Sequence, residues 1–363
     1  MKEFIKIKDE KEKSVILKIY EKFKLANYDF EIDKKGYVAK LNLFGRNLTK
    51  VPKIIASLSH LKELNLNSNQ ITKIEGLENL NELEFLSLSH NKISKIELVN
   101  NLPQLIKLNL SHNQIQRIEG LENLPELIIL WLGFNNIQKL ENLNKLTKLE
   151  ELSIHDNQIT KIEGLDNLVN LKDLYLYNNN IVKIEGLSNL KNLQLLSLGD
   201  NQINKIENLE KLQNLVQLWL GNNKIQKIER LENLNNLITL GLNNNQIKRI
   251  ENLEYLTKLQ DLLLLNNQIK KIEGLGKLVD LRKLELSPEL LSKDDITIYK
   301  NGVYAVVNYC TETEESRKEE LYKLVNKLEI LEAKSKMQGL KLDDYEHLQK
   351  EIEELTKKIK DLK

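Results

Sequence analysis

The chain has 363 residues, with 54 basic against 53 acidic side chains, a formal net charge of +1, 41% apolar residues and 5% aromatic ones. This is a globular composition, and the near-cancellation of charge leaves no broad basic field for a phosphate backbone and no acidic excess of the kind that keeps a tail disordered. The lone Cys310 can form neither an internal disulfide nor a thiolate metal cage, no run reaches the roughly 18 apolar residues of a membrane span, and the opening MKEFIKIKDEKEK lacks the apolar core of a secretory signal. The expected setting is reducing and cytoplasmic, with neither nucleic acid nor membrane as partner.

In chain order, Val15, Ile16, Ile19, Tyr20 and Phe23 fall at helical spacing between Asp9 and Leu25, which suits a helix closing the open end of an array. The stretch FEIDKKGYVAKLNL then reads as a leading hairpin, so residues 1–37 form a helical N-cap. From residue 38 a repeat sets in. Leucines from Leu61 to Leu281 recur every 22 residues without a slip, each unit reading LxxLxLxxNxIxxIExLxxLxx. Its asparagine is present in ten successive units, from Asn69 to Asn267, while Arg46 and Glu289 stand in that place in the degenerate first and last units. Atypical ends are what a stacked array requires.

Within a unit the LxL alternation turns Leu64 and Leu66 inward from a short strand and Asn65 and Asn67 outward. One such strand cannot bury its apolar face alone, so neighbours must stack. The repeated asparagine, with one acceptor and two donors, reads as a structural group that satisfies backbone where the chain leaves the strand. A basic column (Lys73 to Lys271) and an acidic one (Glu75 to Glu273) run beside each other and read as a solvated ladder of opposite charges.

After the repeats, which end at residue 291, DDITIYKNGVYAVVNYC reads as a helix over 292–312 that buries Val303, Val306, Val307 and Cys310 against the last unit. Residues 313–363 carry two apolar seams, Leu321 to Leu331 and Tyr345 to Leu362, either side of Gly339. They predict a coiled-coil-like hairpin whose second helix is capped by Asp343 with Glu346. Its seam suits a folded-back hairpin and a dimerising arm equally.

The unit resembles the leucine-rich repeat, and its IxxIExLxxL form resembles the repeats of an intracellular regulatory subunit of protein phosphatase 1. The resemblance covers residues 38–291, about 12 units. It implies an α/β fold: a leucine-rich-repeat solenoid with a curved parallel sheet on its concave face and short helical, 3-10 or turn segments on its convex face. The segment after the last repeat resembles the helix that follows the repeats in Roco-type proteins.

In such a fold the third, fifth, seventh and eighth residues of each unit face outward. The fifth column reads Trp131, Ser153, Tyr175, Ser197, Trp219, alternating large and small, and Phe85, Phe134 and Tyr177 extend the patch. Glu151, Asp156, Asp173, Asp200 and Asp261 lie alongside, with no Lys or Arg at these positions from Leu149 to Leu259. An aromatic and acidic face suits a protein partner with a basic or amphipathic surface. The phosphatase regulator grips its enzyme with a face of that kind, which is what the resemblance adds. No nucleophile stands with a base, and no phosphate loop, HExxH or CxxC motif is present, so a non-catalytic scaffold without cofactor is expected. His90 and His112 share the eighth position of adjacent units with His155 further along; without a third ligand they read as polar surface, not as a metal site. The alternative function is an assembly protein that oligomerises through the C-terminal helices.

Overall fold

The structure, a computed structural model, describes residues 6–26, 29–97, 102–336 and 342–362. Helix α1 (Glu10–Phe23) starts where the Asp9 carboxylate accepts the Glu12 N–H at 2.8 Å, and stops at Lys24 in the left-handed conformation. Its buried Val15, Ile16 and Ile19 cover the first unit. Glu12 is buried with them and accepts the Val38 N–H at 2.8 Å; burial raises its pKa above the ordinary carboxylate value. The leading hairpin forms as β1 (Phe30–Ile32), antiparallel to β2 (Val38–Asn42). Arg46, which replaces the repeat asparagine in this unit, donates to Asp29 at 2.6 Å and so ties the hairpin to the array.

Strands β3 (Glu63–Asn65), β4 (Phe85–Ser87), β5 (Lys107–Asn109), β6 (Ile129–Trp131), β7 (Glu151–Ser153) and β8 (Asp173–Tyr175) follow. Then come β9 (Leu195–Ser197), β10 (Gln217–Trp219), β11 (Thr239–Gly241), β12 (Asp261–Leu263) and β13 (Lys283–Glu285). From β2 onward all pairings are parallel and between chain neighbours, so the sheet order is the chain order. The register is constant at one repeat: Leu152 faces Leu174, and Leu174 faces Leu196. Seven apolar side chains of each central unit, such as Leu171, Leu174, Leu176, Ile181, Ile184, Leu187 and Leu190, are buried in one continuous core. The convex side is built from turns, and a 3-10 segment occurs there only in the first unit, at Lys53–Ser57, among the described residues.

The asparagine column does what its donors and acceptor allow. Asn201 accepts the Ile181 N–H at 2.9 Å and donates to the carbonyls of Leu176, Leu198 and Gly199 at 2.9–3.1 Å. Each such residue therefore satisfies backbone of its own unit and of the preceding one.

A second column, the sixteenth residue, turns left-handed at the convex corner. It is glycine in Gly76, Gly120, Gly164, Gly186 and Gly274, with φ between 68° and 80°. A side-chain carbon at Gly186 would collide with the Ile162 carbonyl oxygen. Where the residue is Asn142, Asn208 or Asn252, its amide instead donates to that carbonyl of the previous unit, at 2.6–2.7 Å. Arg230 has neither advantage at φ 59° and makes only a loose ion pair with Glu210 at 3.6 Å. Arg230→Gly is expected to stabilise the protein by about 1 kcal/mol. Urea denaturation checks this, and an unchanged or lower midpoint would show that the corner carries no strain.

The charged columns are solvated as expected. Among the described residues they close ion pairs only at Arg117, Arg249 and Lys271, with partners at 3.0–3.9 Å. Closer pairs form at the second position of neighbouring units, Lys62 with Glu84 at 2.6 Å and Lys172 with Glu150 at 2.8 Å.

At the C-terminal end, a 3-10 turn (Pro288–Leu290) leads to α2 (Lys293–Lys300), α3 (Val303–Ser335) and α4 (Leu342–Leu362). The Tyr299 hydroxyl accepts the Leu286 N–H and donates to the Leu284 carbonyl, both at 3.2 Å, sealing the last strand's edge. Val306 and Cys310 are buried against the final unit, and burial pushes the Cys310 thiol up to about 11, so it stays protonated and unreactive. The single helix expected over this region is interrupted, because Gly302 takes φ 93° between α2 and α3. Conversely, no break falls at 312/313: α3 runs through as one helix of 33 residues. Helices α3 and α4 fold back on each other around buried Leu331, Leu355 and Ile359. Lys327 pairs with Glu351 at 2.8 Å and Lys358 with Glu320 at 3.3 Å across the seam. Gly339 and the side chains of Asp343 and Tyr345 lie outside the described residues, and α4 already begins at Leu342. No helix among the described residues is long and apolar enough to cross a membrane.

Candidate protein-binding face

Because the strands are in register, the fifth column is a straight row across five of them: Trp131 on β6, Ser153 on β7, Tyr175 on β8, Ser197 on β9 and Trp219 on β10. At about 4.8 Å per strand, successive aromatics stand about 10 Å apart. Ser153 is buried, and the three rings are half-buried. Both indole N–H groups are satisfied within the face. Trp131 donates to Glu151 at 2.7 Å and Trp219 to Gln217 at 3.2 Å. The Trp219 ring lies over Gly241, where a side-chain carbon would come within 2.6 Å of it.

Glu151 and Asp173 face each other in the third column of β7 and β8. Two carboxylates directly opposite on neighbouring strands repel. Burial first, and Glu151 second, raise the Asp173 pKa. Burial, then Asp173 and Glu151, likewise raise that of Tyr175. No hydrogen bond or ion pair within 4 Å reaches the Asp173 carboxylate among the described residues.

The eighth column forms a rim. Its residues are left-handed in every unit from Ser68 to Asn266, with φ of 52–56°. Asn and Asp adopt that conformation readily, and most units place Asn, Asp or Ser there. Three consecutive units instead hold His90, His112 and Phe134, and their rings stack at 3.9 and 4.0 Å between centroids. Phe134 then meets His155 edge-on at 5.1 Å, and His155 stacks on Tyr177 at 4.4 Å. His155 leans over Gly133 and bonds through Nδ1 to Asp156 at 2.8 Å; Asn178 donates to the same carboxylate. Five rings thus form one continuous strip.

The expected site residues fall into distinct places. Trp131, Glu151, Asp173 and Tyr175 come together on three central strands, whereas Phe134, Asp156 and Tyr177 belong to the ring strip. Asp200 is an exposed rim residue, and Trp219 stands two strands from Tyr175. Phe85 is apart, separated from Trp131 by a groove that Lys107 helps to line. Asp261 accepts from Thr239 at 3.3 Å, away from the aromatics. Sequence reasoning missed the ring strip. The signal was available in three bulky rings occupying a column otherwise built of Asn, Asp and Ser. Among the described residues no group of three His, Cys, Asp or Glu side chains could hold a metal ion.

Burial, then the neighbouring His90 and His155, lower the His112 pKa, while Asp156 opposes them weakly. A base whose folded pKa is depressed binds its proton less readily folded than unfolded. It therefore costs nothing well above the ordinary value of 6.5 and destabilises progressively as the pH falls from there through the lowered value. His112→Asn is expected to weaken the loss of stability on acidification, seen as a smaller difference between urea midpoints at neutral and mildly acid pH. Equal differences in both proteins would refute the coupling.

Leucine-rich-repeat family profiles match residues 37–93 and, in overlapping pairs of copies, residues 81–255, together more than half of the chain. The protein belongs to the leucine-rich-repeat family. Among solved structures it is similar to an internalin, InlF, of Listeria monocytogenes, at 28% identity over 74% of this chain and 94% of that one, with a TM-score of 0.51. It is also similar to a leucine-rich-repeat protein of Leptospira interrogans, at 27% identity over 75% and 83% of the two chains, with a TM-score of 0.62. A third is the receptor TLR13 in complex with a single-stranded RNA, at 27% identity over 64% of this chain and 37% of that one, with a TM-score of 0.55. No curated protein sequence matches the chain. The fold is typically a non-catalytic scaffold for binding other proteins.

Proposed function

We propose that this protein is a non-catalytic scaffold that captures a protein partner on the central strands of its concave face, the partner presenting basic side chains among apolar ones. The observation that carries this reading is the row Trp131, Tyr175 and Trp219 beside the Glu151 and Asp173 carboxylates, neither of which has an ion-pair partner within 4 Å among the described residues. Indoles with their N–H groups already satisfied offer ring faces to cations and apolar groups, and carboxylates without a cationic partner favour a basic visitor. The same carboxylates would repel phosphates, which speaks against an RNA ligand like that in the TLR13 complex. Regulation of a metallophosphatase is the specific form suggested by the repeat type. A protonated, buried Cys310 suits a cytoplasmic location.

Assembly through the C-terminal helices is the weaker reading, because the α3–α4 seam is already filled by its own Leu331, Leu355 and Ile359.

The test is a pull-down from native extract with wild type and a Trp131→Ala, Trp219→Ala double variant, probed also for phosphatase catalytic subunits. Partners should be recovered by wild type and lost from the variant, since truncating central aromatic anchors commonly costs about 2 kcal/mol or more each. Recovery of the same partners by both proteins would overturn the reading.

A further inference from the structure

We propose that the row of rings forms two side-by-side slots of different chemistry, which select an extended segment carrying a lysine or arginine and an apolar side chain three residues apart. This rests on the protein-binding reading above and names what the face recognises.

The first slot lies between Trp131 and Tyr175 with buried Ser153 as its floor. Its walls are two strand spacings apart, so a cation midway would sit about 5 Å from each ring, inside the roughly 6 Å range of cation–π attraction. Glu151 and Asp173 line one side of the same slot, in register with its floor and its far wall. The Trp131 N–H holds Glu151 at 2.7 Å and fixes ring and carboxylate together. Asp173 is half-buried, faces a like charge and has no bonded partner of its own. A bound ammonium or guanidinium would neutralise that repulsion, which is the charge complementarity that commits the slot to a basic occupant.

The second slot lies between Tyr175 and Trp219 over Ser197. Here the third column changes from Asp173 to Leu195 and then Gln217, and the seventh column is Gly199 and Gly221. Without a carboxylate beside its floor, this slot takes an apolar side chain between two rings. Its centre is two strands, about 10 Å, from that of the first, and an extended chain of the polyproline II type turns once per three residues with a rise of about 3.1 Å each, so side chains three apart point the same way about 9 Å from one another. Side chains three residues apart therefore reach both.

The probe is a blocked peptide with arginine and leucine three residues apart in a glycine–serine background, compared with versions carrying glutamate for arginine or leucine alone. Binding to the full chain is read from the emission of Trp131 and Trp219, its only tryptophans. The arginine–leucine peptide should bind saturably and more tightly than either control. Asp173→Asn should weaken it about tenfold, the loss of one charged contact, while leaving the leucine-only peptide unaffected. The same variant should melt no lower than wild type, because it removes a repulsion, so lost binding cannot be ascribed to lost folding. No saturable signal, equal binding of the arginine and glutamate peptides, or an unchanged affinity in Asp173→Asn would overturn the proposal. Native partners lost from the tryptophan double variant but kept by Asp173→Asn would also overturn it, while leaving the protein-binding reading intact.

Discussion

Replacing Asn179 by alanine is expected to destabilise the protein by about 4 kcal/mol, far more than its size or polarity suggests. Its Oδ1 accepts the Ile159 N–H at 2.9 Å, and its amide donates to the carbonyls of Ile154 and Leu176 at 3.0 Å and of Tyr177 at 3.3 Å. Alanine leaves one donor and three acceptors without that partner, in a place that is buried and hard for water to enter. Each buried group left unmade costs about 1–3 kcal/mol, reduced where water or a shifted neighbour replaces the bond. The neighbouring Asn180 is exposed, and Asn180→Ala should stay within about 0.5 kcal/mol of wild type. Urea denaturation of both variants, with amide exchange at Ile159, separates the cases. A loss at Asn179 below that of a surface substitution would mean that the ladder is ornamental to stability.

Leu196→Ala should cost about 3 kcal/mol by a different route. Leu196 sits on β9 in register between Leu174 and Leu218, and all three are fully buried. Truncation removes apolar burial and leaves a cavity between rigid neighbours that cannot collapse onto it. Both flanking interfaces are affected, since each unit touches only the next. Leu284, in the last strand and slightly exposed, has a repeat on one side only, and Leu284→Ala should cost less. The calorimetric midpoints of the two variants check this, and equal shifts would argue that the array unfolds with no distinction between middle and end.

These two substitutions act on features legible in the sequence, because an unbroken period of 22 residues leaves one register open to the strands. The asparagine's role follows from its donors and acceptor, and the row from Trp131 to Trp219 follows from that register. The ring strip was hidden for a physical reason. Its members change column between Phe134 and His155, and only the left-handed backbone at the eighth position aims His90, His112 and Phe134 at one another. The period places the charged columns and their solvation, but not the closer ion pairs: flexible lysines in water close few contacts, and the shorter pairs arise at the second position. At the C-terminus, helical spacing located apolar faces but not ends. Gly302 breaks the helix where the pattern continues, and nothing breaks it near Thr313, where composition alone changes.

The asparagine ladder also has a mechanical consequence. Each rung clamps one unit to the one before it, and every rung from Asn69 to Asn267 is made in nearly the same way. Pulled from its two ends, the array should therefore peel in successive steps of similar force, each releasing one unit of 22 residues, roughly 75 Å of extended chain. Such a protein behaves under tension as a graded spring, giving up length a coil at a time while the remaining coils stay folded and keep presenting their strands.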